Sequence, residues 1–140
     1  RRRKRGSRQI MTKTEINRIN TTSLAYLGDA VYEVIVREMI LAKYPLDAGK
    51  AHRHAVRYVS AGGQAKAARA MIEEGFLTEE EEHLLKRARN HRTMSRPQHA
   101  DPKDYKYATG FEALLGYLHL AGEKDRIAEI TSEAFRIIEE

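Results

Sequence analysis

Apolar residues recur at three- and four-residue spacing along most of the chain, and no stretch shows the strict apolar/polar alternation of a half-buried strand. Leu24, Leu27, Val31, Val34, Ile35 and Met39 set the first run, with Thr21, Thr22 and Ser23 ahead of it as candidate caps. This spacing predicts a long helix from about Ser23 to Lys43, closed by Pro45. Asp47 is placed to cap a second helix to about Val59, and Ser60 a third through Glu74, with Gly75 as its stop signal. Thr78 followed three residues later by Glu81 is a capping box, and opens a fourth helix to about Asn90. Asp101 before Pro102 marks another start. Tyr105, Ala108, Phe111, Leu115 and Leu118 line one face of that helix, which ends near Gly122. A last amphipathic helix carries Ile127, Ile130, Ala134, Ile137 and Ile138. Only HRTMSRPQHADP, between the fourth and fifth helices, lacks a period, and a loop of this length commonly carries function. The expected fold class is all-α, roughly six or seven helices in one domain over residues 12–140.

At 140 residues the chain is long enough to bury a core without staples. It has no cysteine, so it has neither a disulfide framework nor a thiolate metal site, which fits a reducing cytosol. No stretch stays apolar for the roughly 18 residues of a membrane helix, so a soluble chain with no membrane partner is expected. The net charge of +5 invites a polyanion partner, but the first eight residues, RRRKRGSR, hold six of the 25 basic side chains; the rest balances 19 basic against 20 acidic. Met11 follows this leader closely, so residues 1–11 read either as a native basic arm or as a non-native extension, and no function rests on them. Charge is still segregated within the body. From His83 to Tyr107 seven basic residues face two acidic ones, whereas residues 123–140 hold six acidic and three basic.

Two carboxylates interrupt otherwise apolar helices. LAYLGDAVYE, residues 24–33, sets Asp29 directly behind Gly28, and FEALLGYL sets Glu112 one turn before Gly116. A lone charge on an apolar face is costly unless compensated. Two carboxylates brought together repel unless one is protonated or a cation lies between them. Mg²⁺ suits such a pair, because it takes oxygen ligands and is often held by one or two carboxylates while keeping its waters. Spacing alone equally allows each acid to face water or to pair with an arginine. The histidines supply no competing site: His52 and His54 are two apart and point to different sides of a helix, and His83, His91, His99 and His119 show no ligand spacing. Tyr26 and Tyr32 read as core or interface packing.

LAYLGDAVYE together with TGFEALLGYLHL resembles the signature of the ribonuclease III catalytic domain, whose motifs take the forms LEFLGDAVL and DAFEALLGAIYLD. The likeness runs from about Thr21 to Leu120. It implies a Mg²⁺-dependent endonuclease, with Mn²⁺ able to substitute, that cleaves double-stranded RNA as an α-helical two-fold homodimer. The metal-binding aspartate of the first motif falls on Asp29 and the metal-binding glutamate of the second on Glu112. Two further family acids are replaced: the glutamate four residues before the aspartate is Ala25, and the aspartate three residues before the glutamate is Thr109. One helical domain also leaves no room for a separate double-stranded-RNA-binding domain. These traits, with LKRARN at 85–90 and the form YATGFEALLGYL, resemble the short subfamily called Mini-ribonuclease III. That resemblance implies a bacterial cytoplasmic enzyme maturing the large-subunit (23S) ribosomal RNA precursor, with room for a ribosomal-protein helper. The missing acids keep open a catalytically silent RNA-binding or ribosome-assembly module of the same fold.

An RNA-cleaving chain without a separate binding domain must grip phosphates and 2′-hydroxyls from its own surface. The best supply is the segment 86–106, and above all Lys86, Arg87, Arg89, Asn90, Arg92 and Arg96. His52, Arg53 and Arg57, which share a helix with Lys50, are a second supply. Ser60 and Gln64 either line the cleft or serve as a helix cap and a surface amide.

Overall fold

The computed structural model describes residues 9–44, 47–91 and 101–140. The leader over 1–8, Pro45, and the loop residues 92–100 with Arg92 and Arg96 lie outside the described residues. Seven helices and no strand occur among those described: α1 (Lys13–Ile16), α2 (Thr21–Lys43), α3 (Ala48–Val59), α4 (Ala61–Glu73), α5 (Glu79–Asn90), α6 (Pro102–Leu120) and α7 (Lys124–Glu139). No described helix is long and apolar enough to cross a membrane.

Most boundaries follow from the caps. The side chains of Asp47, Ser60, Thr78 and Asp101 each accept a backbone N–H in the first turn of the helix they precede, and Gly75 takes a φ of 69° where α4 has ended. Two expectations differ. The first long helix starts at Thr21, capped by Asn20, whose side chain accepts from the Ser23 N–H; the threonines lie inside it. The short α1, carrying its own capping box of Thr12 and Glu15, was not foreseen, because four residues cannot display an apolar period.

Helix α6 is the centre of the fold. It packs against α2, α4 and α5, and every residue from Ala108 to Leu118 except Glu112 is buried. A helix apolar on all sides has no solvent face to present. Helix α2 buries Leu24, Ala25, Gly28, Tyr32, Val36 and Ile40 in the core, with the Tyr32 ring edge-on to Phe111 of α6 at 5.1 Å and its hydroxyl donating to the Tyr58 carbonyl. Val34 is not part of this core face; it is 57% exposed. The sequence spacing merged two apolar sides of one helix. The second side carries Tyr26 (86% exposed), Val34 and Leu41 (55%), residues that fall within about a quarter-turn of one another around α2.

Where α2 crosses α6, the two backbones touch. A Cβ on Gly28 would overlap the Glu112 carbonyl oxygen and lie 2.9 Å from the Gly116 nitrogen; a Cβ on Gly116 would overlap the Leu24 carbonyl oxygen. Only glycine at both positions allows this approach, and it brings the residues beside Gly28 and before Gly116 together.

Candidate active site

Asp29 follows Gly28 on α2, and Glu112 stands one turn before Gly116 on α6, so the glycine crossing sets the two carboxyls within hydrogen-bonding reach of each other. Their environments differ. Asp29 is exposed, which removes the desolvation cost that its place in an apolar stretch suggested, whereas Glu112 is half-buried. Burial, then the neighbouring charge of Asp29 and the proton shared with it, push the Glu112 carboxyl up to about 8. Two other groups bear on it. Gln64 donates from Nε2 to Glu112 Oε2 at 3.3 Å and favours the ionised form, while Glu33, one turn beyond Asp29 on α2, opposes it. Glu33 Oε2 and Gln64 Oε1 are both buried without a hydrogen-bond partner, and an unsatisfied buried acceptor costs about 1–3 kcal/mol. Among the described residues no group of three or more histidine or acidic side chains is arranged to hold a metal; the carboxyls that meet are a pair.

The raised Glu112 value has a consequence for stability. In the metal-free protein the folded state keeps a proton on Glu112 that the unfolded chain has released above its ordinary value of 4.5. The stabilisation is therefore complete below about pH 4.5 and is lost as pH rises through about 8. Melting temperature in chelator should fall from pH 5 to 8.5, and Glu112→Gln should flatten that fall. An equal slope in wild type and variant would show that Glu112 is not the group that titrates.

The cationic residues expected to grip RNA are divided. Arg89 and Asn90 meet Arg69, Lys103, Lys106 and Tyr107 around a groove of about 530 Å³ between α4, α5 and α6. The guanidinium groups of Arg69 and Arg89 lie 4.6 and 5.2 Å from the Tyr107 ring centre; Arg89 also donates to the Tyr107 hydroxyl at 3.2 Å and to Asn90 Oδ1 at 3.0 Å. Lys86 is paired with Glu82 at 2.8 Å. Arg87 faces a separate cavity of about 560 Å³, lined also by Lys13, His83 and Tyr117, which contains neither Asp29 nor Glu112. On α3, His52 and Arg53 are exposed and Arg57 donates to the Ile138 carbonyl at 3.1 Å. His54 stacks on Tyr44 at 4.8 Å.

Two residues near these sites, Glu33 and Arg69, were not singled out from the sequence, and Gln64 takes one of its two alternatives. Gln64, open between cleft lining and a surface amide, is 2% exposed and hydrogen-bonded to Glu112; Glu33 adds a third carboxylate beside the pair, and Arg69 joins the groove. For Glu33 the signal was present, since it stands four residues after Asp29 and so on the same side of α2. Arg69 had none, because its place depends on how α4 lies along α6.

Residues 22–123 match the family described as Ribonuclease III domain. A Mini-ribonuclease 3 of Brevibacillus brevis is 44% identical over 133 residues, which cover 92% of this chain and 98% of that protein. The Mini-ribonuclease 3 of Symbiobacterium thermophilum is also 44% identical, over 84% of this chain and 88% of its own. A crystal structure of a Fusobacterium nucleatum protein superposes with a TM-score of 0.76 at 27% identity, covering 87% of this chain and 96% of that one. The match spans both Gly28–Asp29 and Glu112–Gly116, the segments that meet at the helix crossing. The chain therefore belongs to the ribonuclease III domain family of endoribonucleases, alongside the Mini-ribonuclease 3 proteins.

Proposed function

We propose that this endoribonuclease cleaves double-stranded RNA with Mg²⁺, or Mn²⁺ in its place, held by Asp29 and Glu112, and that its substrate is the precursor of large-subunit (23S) ribosomal RNA in the bacterial cytoplasm. The observation that carries this reading is the pair itself: two carboxyls of unlike exposure, pressed together by a glycine crossing. The donor set fits a hard cation, being oxygen throughout, and two buried acceptors without donors, Glu33 Oε2 and Gln64 Oε1, stand ready for the waters such an ion retains. Once bound, the metal supplies charge stabilisation at a phosphate and a water of lowered pKa. Glu112 must give up its proton to bind, and Asp29 and Glu33 keep the site negative until a cation arrives.

The groove of Arg69, Arg89, Lys103 and Lys106 supplies the grip on the phosphate backbone. Gln64 meets Glu112 while Arg69 meets Tyr107, so groove and carboxyls lie on the same two helices, separated by about 7.5 Å of helix rise. A duplex has two strands to cut, and a two-fold dimer supplies two centres. The exposed stripe of Tyr26, Val34 and Leu41 on α2 is the surface we assign to that contact; Asp29 borders it.

One feature favours a silent RNA-binding module instead. The positions of the two missing family acids are packed, Ala25 buried and Thr109 donating from its hydroxyl to the Tyr105 carbonyl. Labelled duplex and single-stranded RNA incubated with Mg²⁺ separate the readings. The enzyme reading expects discrete paired cuts in a pre-ribosomal duplex, no cuts in chelator, and a species of about 32 kDa by light scattering, twice the 16.0 kDa chain. Duplex binding without cleavage under Mg²⁺ or Mn²⁺ would favour the silent module, and a 16.0 kDa monomer would remove the dimer.

A further inference from the structure

Gln64 lies in the first turns of α4, directly after the α3–α4 corner, and is almost wholly enclosed. Its Nε2 donates twice, to the Val59 carbonyl at the end of α3 at 2.9 Å and to Glu112 Oε2 at 3.3 Å. The Val59 carbonyl can only accept, so the nitrogen end of the amide is fixed by chemistry, and the other end must be oxygen. That oxygen, Oε1, is buried and has no donor. Buried polar atoms are almost always satisfied, so an orphan beside a candidate metal ligand calls for a partner that arrives with a ligand.

We propose that Gln64 is a positioning residue for the metal site: it bolts the Glu112 carboxylate to the α3–α4 corner through Nε2, and offers Oε1 as the acceptor for a water retained by the metal. The inference rests on the reading of Asp29 and Glu112 as metal ligands, and adds to it the residue that orients one of them. Oε1 is closed to solvent as it stands, so a donor reaches it only once metal entry has displaced the Glu112 carboxyl, and a single water held on the cation is the smallest donor that such an opening admits. An ion held by two carboxylates keeps several waters, each of which is a donor in need of an acceptor. Outer contacts of this kind typically change metal affinity or activity 10–100-fold when removed.

The test uses Gln64→Met, which keeps the buried volume but removes both the donor and the orphan acceptor. Mn²⁺ binding to the full chain, followed by electron paramagnetic resonance without RNA, should weaken about tenfold, while the melting temperature in chelator is unchanged or higher. Affinity within twofold of wild type would overturn the role of Gln64 while leaving the metal site standing. Absence of Mn²⁺ binding to wild type would overturn both. Should the variant fail to fold, the wild-type protein still decides. The Gln64 side-chain amide resonances should shift on Mg²⁺ addition and stay fixed in Asp29→Asn; resonances that ignore Mg²⁺ in wild type would sink the proposal.

Discussion

Asp29→Asn is expected to lower cleavage of duplex RNA by about 10³-fold or more, with helical circular dichroism and RNA affinity largely intact. The substitution is nearly isosteric and Asp29 is exposed, so the core does not register it. The site does, because Asp29 is one of the two carboxyls that meet there, and an amide in its place removes both a formal negative charge and an anionic ligand oxygen from the cation's site. Metal stabilisation of a reacting phosphate is worth several kcal/mol, and each 1.4 kcal/mol is a factor of ten in rate. Removing the Asp29 charge also relieves Glu112 of one cause of its raised proton affinity, so the variant's Glu112 should ionise at lower pH than the wild type's. Glu112→Gln should match the loss, and the double variant should fall no further than either single one, as groups acting as a unit do. Cleavage retained in Asp29→Asn would remove Asp29 from the site.

Gly28→Ala should cost about 3 kcal/mol or more and lower the melting temperature by about 10 °C. In an ordinary helix interior the same change stabilises by about 0.5–1 kcal/mol. Here the sign reverses, because the new methyl group would overlap the Glu112 carbonyl oxygen, and backbone cannot swing aside as a side-chain tip can. Helices α2 and α6 would have to separate along their contact. That separation parts Asp29 from Glu112, so activity at temperatures where the variant is still folded should fall with stability. Urea denaturation checks the first effect and cleavage at low temperature the second. A melting point equal to or above wild type would show that the two backbones are not in contact.

Helix ends were legible in the sequence because they are fixed locally. Asp47, the Thr78 and Glu81 box, Asp101 with Pro102, and Gly75 each act within one turn of themselves, and the helices begin or end beside them. Faces were less legible. The apolar run of α2 serves two surfaces, so its spacing could not separate Val36 in the core from Val34 in solvent. Helix α6 is buried on almost every side, which leaves no polar face to set a phase. The meeting of Asp29 with Glu112 followed from a resemblance and not from spacing; the physical cause is a close approach that two glycines permit. Gln64 was legible only as one of two alternatives, cleft lining or surface amide, because what encloses it is the α3–α4 corner that folds it against α6.

Asp29 and Glu112 are proposed to seat together the divalent metal with which the protein cleaves RNA. Crystals grown with Mn²⁺ and measured at a wavelength where manganese scatters anomalously would locate that metal. The expected result is an anomalous peak between the two side chains, roughly 2 Å from a carboxylate oxygen of each, from protein that cleaves duplex RNA in the same buffer. Active protein whose manganese lies elsewhere, with Asp29 and Glu112 bare, would contradict it.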